Sequence, residues 1–222
     1  MDFFGLLKAL FALETIPKVV VMAIPVIFAI TMHEAAHGYV ARYFGDMTAH
    51  LAGRITLNPI RHIDLIGTII IPSITMLVGG IFFGWAKPVP VDFAKLRNPK
   101  KDMLWVALAG PASNLVMAFF WASVIKFSPL LPAEMQLPIA LMGAAGILTN
   151  TVLMVLNLLP LPPLDGGRVV VSLLPTPLAI KFAKIERFGF IILIVLLLTH
   201  ILDKIMWPFI MATLTLITTL FF

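Results

Sequence analysis

The chain has 222 residues, 60% hydrophobic and only 12% charged, with a mean hydropathy of +1.04. A soluble domain carries about 25% charged residues, so this composition excludes a soluble globular fold; it equally excludes disorder, which requires low hydrophobicity. What remains is a polytopic membrane protein, whose net charge of +5 reads as cytoplasmic-side loops rather than nucleic-acid binding. The absence of cysteine removes disulfides, iron–sulfur clusters and Cys-based zinc ribbons.

Uncharged runs mark the elements in chain order. Residues 1–17 contain Asp2 and Glu14, a short apolar stretch and no small-residue cleavage pattern. They read as an amphipathic or frayed lead-in lying on the membrane, not a signal peptide. Residues 19–32 carry no charge, and the run continues helically through His33, Glu34 and His37 to Phe44. Residues 104–125 form a clean span, and 138–164 form a longer one that ends in prolines. Residues 188–202 and 205–222 are short against the ~20 residues a crossing needs. No repeat or long linker divides the chain, so residues 1–222 are expected to form a single membrane-embedded domain, with a core over 16–172 and C-terminal hydrophobic helices over 188–222. The predicted fold is all-α, with about five to six transmembrane helices.

Residues 65–86 are uncharged but unlike the other runs. They are rich in Ile and Thr, broken by Pro72, and hold Gly79-Gly80 between Val78 and Ile81. A Gly-Gly pair between β-branched residues is a hairpin signal. The loops on both sides are basic (Arg42, Arg54 and Arg61 before; Lys87, Lys95, Arg97, Lys100 and Lys101 after). A full crossing would place one basic loop outside, against the positive-inside tendency. A membrane-dipping β-hairpin or re-entrant segment over 65–91 keeps both inside, provided protein or water satisfies its backbone.

The chemistry starts at His33-Glu34-Ala35-Ala36-His37. Residues at i and i+4 share a helix face, so both imidazoles can reach one metal ion, with Glu34 beside them as a general base for water. Ionisable residues inside a membrane helix are costly and functional by default, and a metal cation is the economical partner for this cluster. A catalytic zinc takes a third protein ligand; the candidates are Asp165, His50, His62 and His200. Asp165 ends an uncharged run, within NLLPLPPLDGG, where prolines break the helix and Gly166 and Gly167 allow unusual backbone angles. His50, His62 and His200 read as surface or interfacial residues. A membrane transporter or channel with a His/Asp transit metal site is the alternative class, but such a site has no need of Glu34 between its ligands.

The HEAAH helix, the Gly110-Pro111-Ala112-Ser113-Asn114 segment and NLLPLPPLDGG, in this order, resemble the site-2 protease family of intramembrane zinc metalloproteases. LAGRITLNPIRHID and GWAKPVPV further resemble its short prokaryotic members, and no insertion is large enough for a PDZ domain. The resemblance implies one Zn2+ per chain held by His33, His37 and Asp165, with Glu34 catalytic. It implies that Asn157, and less specifically Asn114, bind substrate or steady the oxyanion, and that the region before Val91 dips into the membrane to engage substrate. It also implies a transmembrane protein substrate, such as an anti-sigma factor or a signal-peptide remnant, and a multi-pass protein of the cell membrane with its active site toward the cytoplasm.

Overall fold

The computed structural model describes residues 2–62, 64, 67, 70 and 87–222. The expected dip over residues 65–86 falls almost wholly outside the described residues; among those described, the chain forms helices and no strand. The helices are α1 (Phe3–Ala12), α2 (Thr15–Tyr43), the short α3 (Thr48–Leu51), α4 (Pro99–Phe127), α5 (Ala133–Asn157), α6 (Asp165–Leu173), α7 (Thr176–Ala183), α8 (Glu186–Leu198) and α9 (Ile201–Phe221).

Four helices among the described residues are long and apolar enough to cross a membrane: Thr15–Tyr43, Pro99–Leu130, Ala133–Asn157 and Ile201–Phe221. Of the five runs read as spans outside residues 65–86, one does not reach crossing length. The run over 188–202 yields α8, whose 13 residues span about 20 Å at 1.5 Å per residue, short of a ~30 Å hydrocarbon core. The run over 138–164 is also cut back. Its helix stops at Asn157, because Pro160, Pro162 and Pro163 lack donors and restrict the residues before them. Asp165 therefore opens a new helix, eight residues after the end of α5, rather than closing the old one.

Three helices build the frame of the site. His33 and His37 of α2 meet Asn114 and Val106 of α4, so the two helices are antiparallel. Asn114 meets Asn150, and Ile125 lies against Gly143, so α4 and α5 are antiparallel as well. Helices α2 and α5 consequently run in the same direction. The chain between α2 and α4 leaves and returns at one end of the bundle, where the Arg97 N–H donates to the Phe44 carbonyl at 3.0 Å. Helix α4 starts with Pro99 in its first turn, and the Asp102 carboxylate reaches back to the Asn98 N–H at 2.7 Å, capping an otherwise orphan donor.

The apolar core joins α1, α4, α5 and α9. The lead-in departs from expectation. It is an ordered helix, capped by Asp2 on the Gly5 N–H at 2.6 Å, and its Phe3, Leu6 and Leu10 are almost completely buried in the core. Outward-facing Val19, Val20 and Phe28 of α2 and Val116 and Phe120 of α4 remain exposed, as side chains facing lipid should be.

Candidate metal centre

The HEAAH turn lies in the C-terminal half of α2, and its two imidazoles face α4 and α6. His33 Nε2 is 3.2 Å from Asp165 Oδ2, His37 Nε2 is 3.2 Å from the same oxygen, and the two Nε2 atoms are 3.1 Å apart. Ligands of a tetrahedral zinc, each ~2.0–2.1 Å from the ion, lie about 3.3 Å from one another. The triangle has that size.

The outer ring nitrogens determine where the protons are. His33 Nδ1 lies 2.6 Å from Asn114 Oδ1, and His37 Nδ1 lies 2.7 Å from the Val106 carbonyl. Both partners are acceptors, so each Nδ1 carries the hydrogen and donates it. Each Nε2 is then a bare lone pair aimed at a carboxylate oxygen. Three acceptors converge with no donor among them, and Asp165 Oδ2 is a buried atom without a hydrogen-bond donor. A cation resolves this arrangement. The His33, His37 and Asp165 cluster is consistent with a single zinc site.

The surrounding sequence explains the close approach. A Cβ at Gly110 would lie 2.4 Å from His37 Nε2 and 2.6 Å from His33 Nε2, so the glycine of the Gly-Pro segment makes room for the imidazoles. Gly166 was expected to supply an unusual backbone angle; instead it lies inside α6, and positive φ among the described glycines is confined to Gly45 and Gly53. Its role is proximity, since a Cβ there would sit 2.3 Å from the Leu158 and Leu159 carbonyls. Packing α6 against the end of α5 in this way carries Asp165 to the histidines.

Asn114 is completely buried and bonded to His33. Its Nδ2 donates to Asn150 Oδ1 at 3.0 Å and toward the Ala29 carbonyl at 3.3 Å, and Asn150 Nδ2 donates to the Gly146 carbonyl at 2.8 Å. A backbone carbonyl thus fixes the Asn150 amide, which fixes Asn114, which fixes the proton on His33. Asn150, also completely buried, was missed in the sequence reading. Its signal was an amide side chain inside a run that otherwise reads as a plain span, where a polar group needs a partner.

Glu34 is half-buried and accepts a hydrogen bond from the Val89 N–H at 2.7 Å. Asn157 is partly buried at the last turn of α5 and donates to Leu153 of its own helix at 3.0 Å rather than to the cluster. The other histidines lie apart from the cluster. His50 is exposed, and His200 is exposed and paired with Asp203 at 3.0 Å. His62 departs from the surface reading: it is 2% exposed, with Nε2 on the Thr56 carbonyl at 2.9 Å.

The comparisons with known proteins agree with this chemistry. Residues 131–199 match Peptidase family M50. The Bacillus subtilis (strain 168) protein named "Putative zinc metalloprotease YwhC" is 40% identical over 195 residues, covering 86% of each chain. The chain belongs to peptidase family M50. The Mycolicibacterium smegmatis protein named "Putative zinc metalloprotease Rip2" is 31% identical over 80% of this chain and 66% of its own length. A Mycobacterium tuberculosis (strain H37Rv) protein of the same name is 30% identical over 79% of this chain and 65% of its own length. No solved structure matches the chain. Family membership, the metal cluster and the long apolar helices are those of a site-2-protease-like intramembrane zinc metalloprotease acting on membrane substrates.

Proposed function

We propose that the chain hydrolyses peptide bonds within or near transmembrane segments of its substrates, with His33, His37 and Asp165 holding the zinc and Glu34 moving the proton. The observation that carries this reading is the triangle of proton-free acceptors at 3.1–3.2 Å with Glu34 next to it in sequence on the same helix. When bound, zinc supplies Lewis-acid polarisation and acidifies water at its open position. Glu34 takes the proton as water oxygen bonds to the scissile carbonyl carbon, then returns it to the departing amine as the C–N bond breaks. Asn157 donates to the developing oxyanion, a contact worth about 3 kcal/mol. Asn114 acts through His33, which it orients.

A helical substrate hides its carbonyls in i to i−4 bonds, so the cleaved stretch has to unwind before it reaches Glu34. The substrate class is a transmembrane protein, of the kind represented by an anti-sigma factor or a signal-peptide remnant. Residues 1–222 act as one domain, with the chemistry confined to 16–172. The site faces the cytoplasm, a reading supported by Arg42, Arg54 and Arg97 near the end of α2 where the chain returns.

The test is cleavage of a co-reconstituted single-span substrate. Glu34→Gln is expected to retain zinc and lose all detectable cleavage, and a chelator is expected to abolish wild-type cleavage until zinc is returned. Substantial activity in Glu34→Gln would remove Glu34 from the reaction.

A further inference from the structure

Residues 87–92 have no helical or strand hydrogen bonding of their own, yet they are fastened along their length. The Lys87 N–H donates to the His62 carbonyl at 3.0 Å. Arg54 Nη2 donates to the Lys87 carbonyl at 2.9 Å and toward the Pro88 carbonyl at 3.4 Å. At the other end the Asp92 N–H donates to Asp46 Oδ2 at 2.7 Å, while Asp46 Oδ1 accepts from the Thr48 N–H at 2.9 Å. Asp46 is completely buried. Burial alone would raise its pKa, but the hydrogen bonds from Thr48 and the Asp92 backbone hold it below its ordinary value.

Between these two anchors sits Glu34. Pro88 and Pro90 have no N–H, so Val89 carries the one donor of 88–90, and that donor is spent on Glu34 Oε2 at 2.7 Å. The Val89 side chain is 7% exposed. It packs over Gly38, one helical turn beyond Glu34, where a Cβ would lie 3.2 Å from Val89 and 3.0 Å from Ile55. Arg54 and Asp46 therefore hold a short strap across α2 so that a single backbone amide meets a single carboxylate oxygen.

We infer that Arg54 and Asp46 are positioning residues for Glu34: by fastening the 87–92 strap at both ends they fix one carboxylate oxygen on Val89 and aim the other at the reacting water. The inference rests on the proposed role of Glu34. It follows from geometry that a carboxylate with two equivalent oxygens and free torsions needs one oxygen tied if the other is to be held in place, and small displacements of a reacting group are costly. The hydrogen-bond partners of the metal ligands come from α4 and α6 and not from the strap, so loosening it is expected to leave the cluster intact.

Two measurements on the zinc-loaded full chain in lipid nanodiscs test this. First, hydrogen exchange of a peptide over residues 88–90 reports on the Val89 amide alone. Glu34→Ala and Arg54→Gln are both expected to speed that exchange by about tenfold or more. Second, Arg54→Gln is expected to lower kcat by about 10–100-fold with KM and zinc content unchanged, and Arg54→Lys, which keeps a donor for the two carbonyls, is expected to recover most of the loss. Unchanged Val89 exchange in Glu34→Ala, an unchanged kcat in Arg54→Gln, or loss of zinc alongside kcat would each overturn the inference. Glu34→Gln run in parallel separates the two failures: if it remains active, the role of Glu34 has failed, whereas if it is inactive and Arg54→Gln is fully active, the strap has failed.

Discussion

The two sides of the HEAAH turn are supported by different kinds of structure. His33 and His37 face the bundle interior, where α4 supplies Asn114 and the Val106 carbonyl and α6 supplies Asp165. Glu34 meets a loop segment, where its partner is one amide of residue 89. The histidine side is thus held by packed helices and a chain of buried amides; the Glu34 side is held by loops that Arg54 and Asp46 tie down. On the proposed roles, metal retention and proton transfer are expected to be mechanically separable, although the residues involved are adjacent in sequence.

That separation can be broken by experiment. The largest effect belongs to the ligand side: His37→Ala is expected to lose both zinc and all cleavage, measured by metal analysis and substrate conversion, whereas Glu34→Gln loses only cleavage. If both variants lost zinc equally, the two sides would not be independent. Asn157→Ala is expected to lower kcat by about 10²–10³-fold with zinc retained, since its amide touches no ligand. Asn150→Ala sharpens the comparison further. Removing the far end of the amide chain is expected to weaken zinc binding by about 10–100-fold, read by competition with a chelating dye, while leaving the Val89 exchange rate unchanged.

The smallest effect is on stability and falls on the loop side. The pKa of Asp46 is depressed in the folded state, so its contribution is complete above the unfolded carboxylate value of about 3.9 and fades as pH falls through the lower folded value. Asp46→Asn is expected to lower the melting temperature at neutral pH, with the difference from wild type narrowing at the acid end of a thermal-denaturation series. A difference independent of pH would place the effect in packing instead of charge.

The ligand side was largely legible in the sequence, and the loop side was not. The spacing of His33 and His37 carries the helix face within it, and Asp165 stands out as a charge closing a long uncharged run. Joining them across more than a hundred residues took the family resemblance. The amide chain was hidden because Asn150 sits among residues that satisfy the apolar pattern of a span, and its partner is visible only once α4 and α5 pack antiparallel. Arg54, Asp46 and Val89 were hidden for a different reason. Their contacts are between side chains and loop backbone, which follow no periodicity. The packing of the lead-in was hidden because Phe3, Leu6 and Leu10 form a helical apolar stripe that fits lipid or protein equally well from sequence; in the fold that stripe is buried in the core.

The central claim is that His33, His37 and Asp165 grip one ion. X-ray absorption at the zinc edge on the purified full chain, beside Asp165→Ala, tests it most directly. The account predicts a zinc per chain with two imidazole nitrogens and low-number oxygen ligation in the wild type, and a marked fall in occupancy in Asp165→Ala. Undiminished occupancy with an unchanged spectrum in that variant would contradict it.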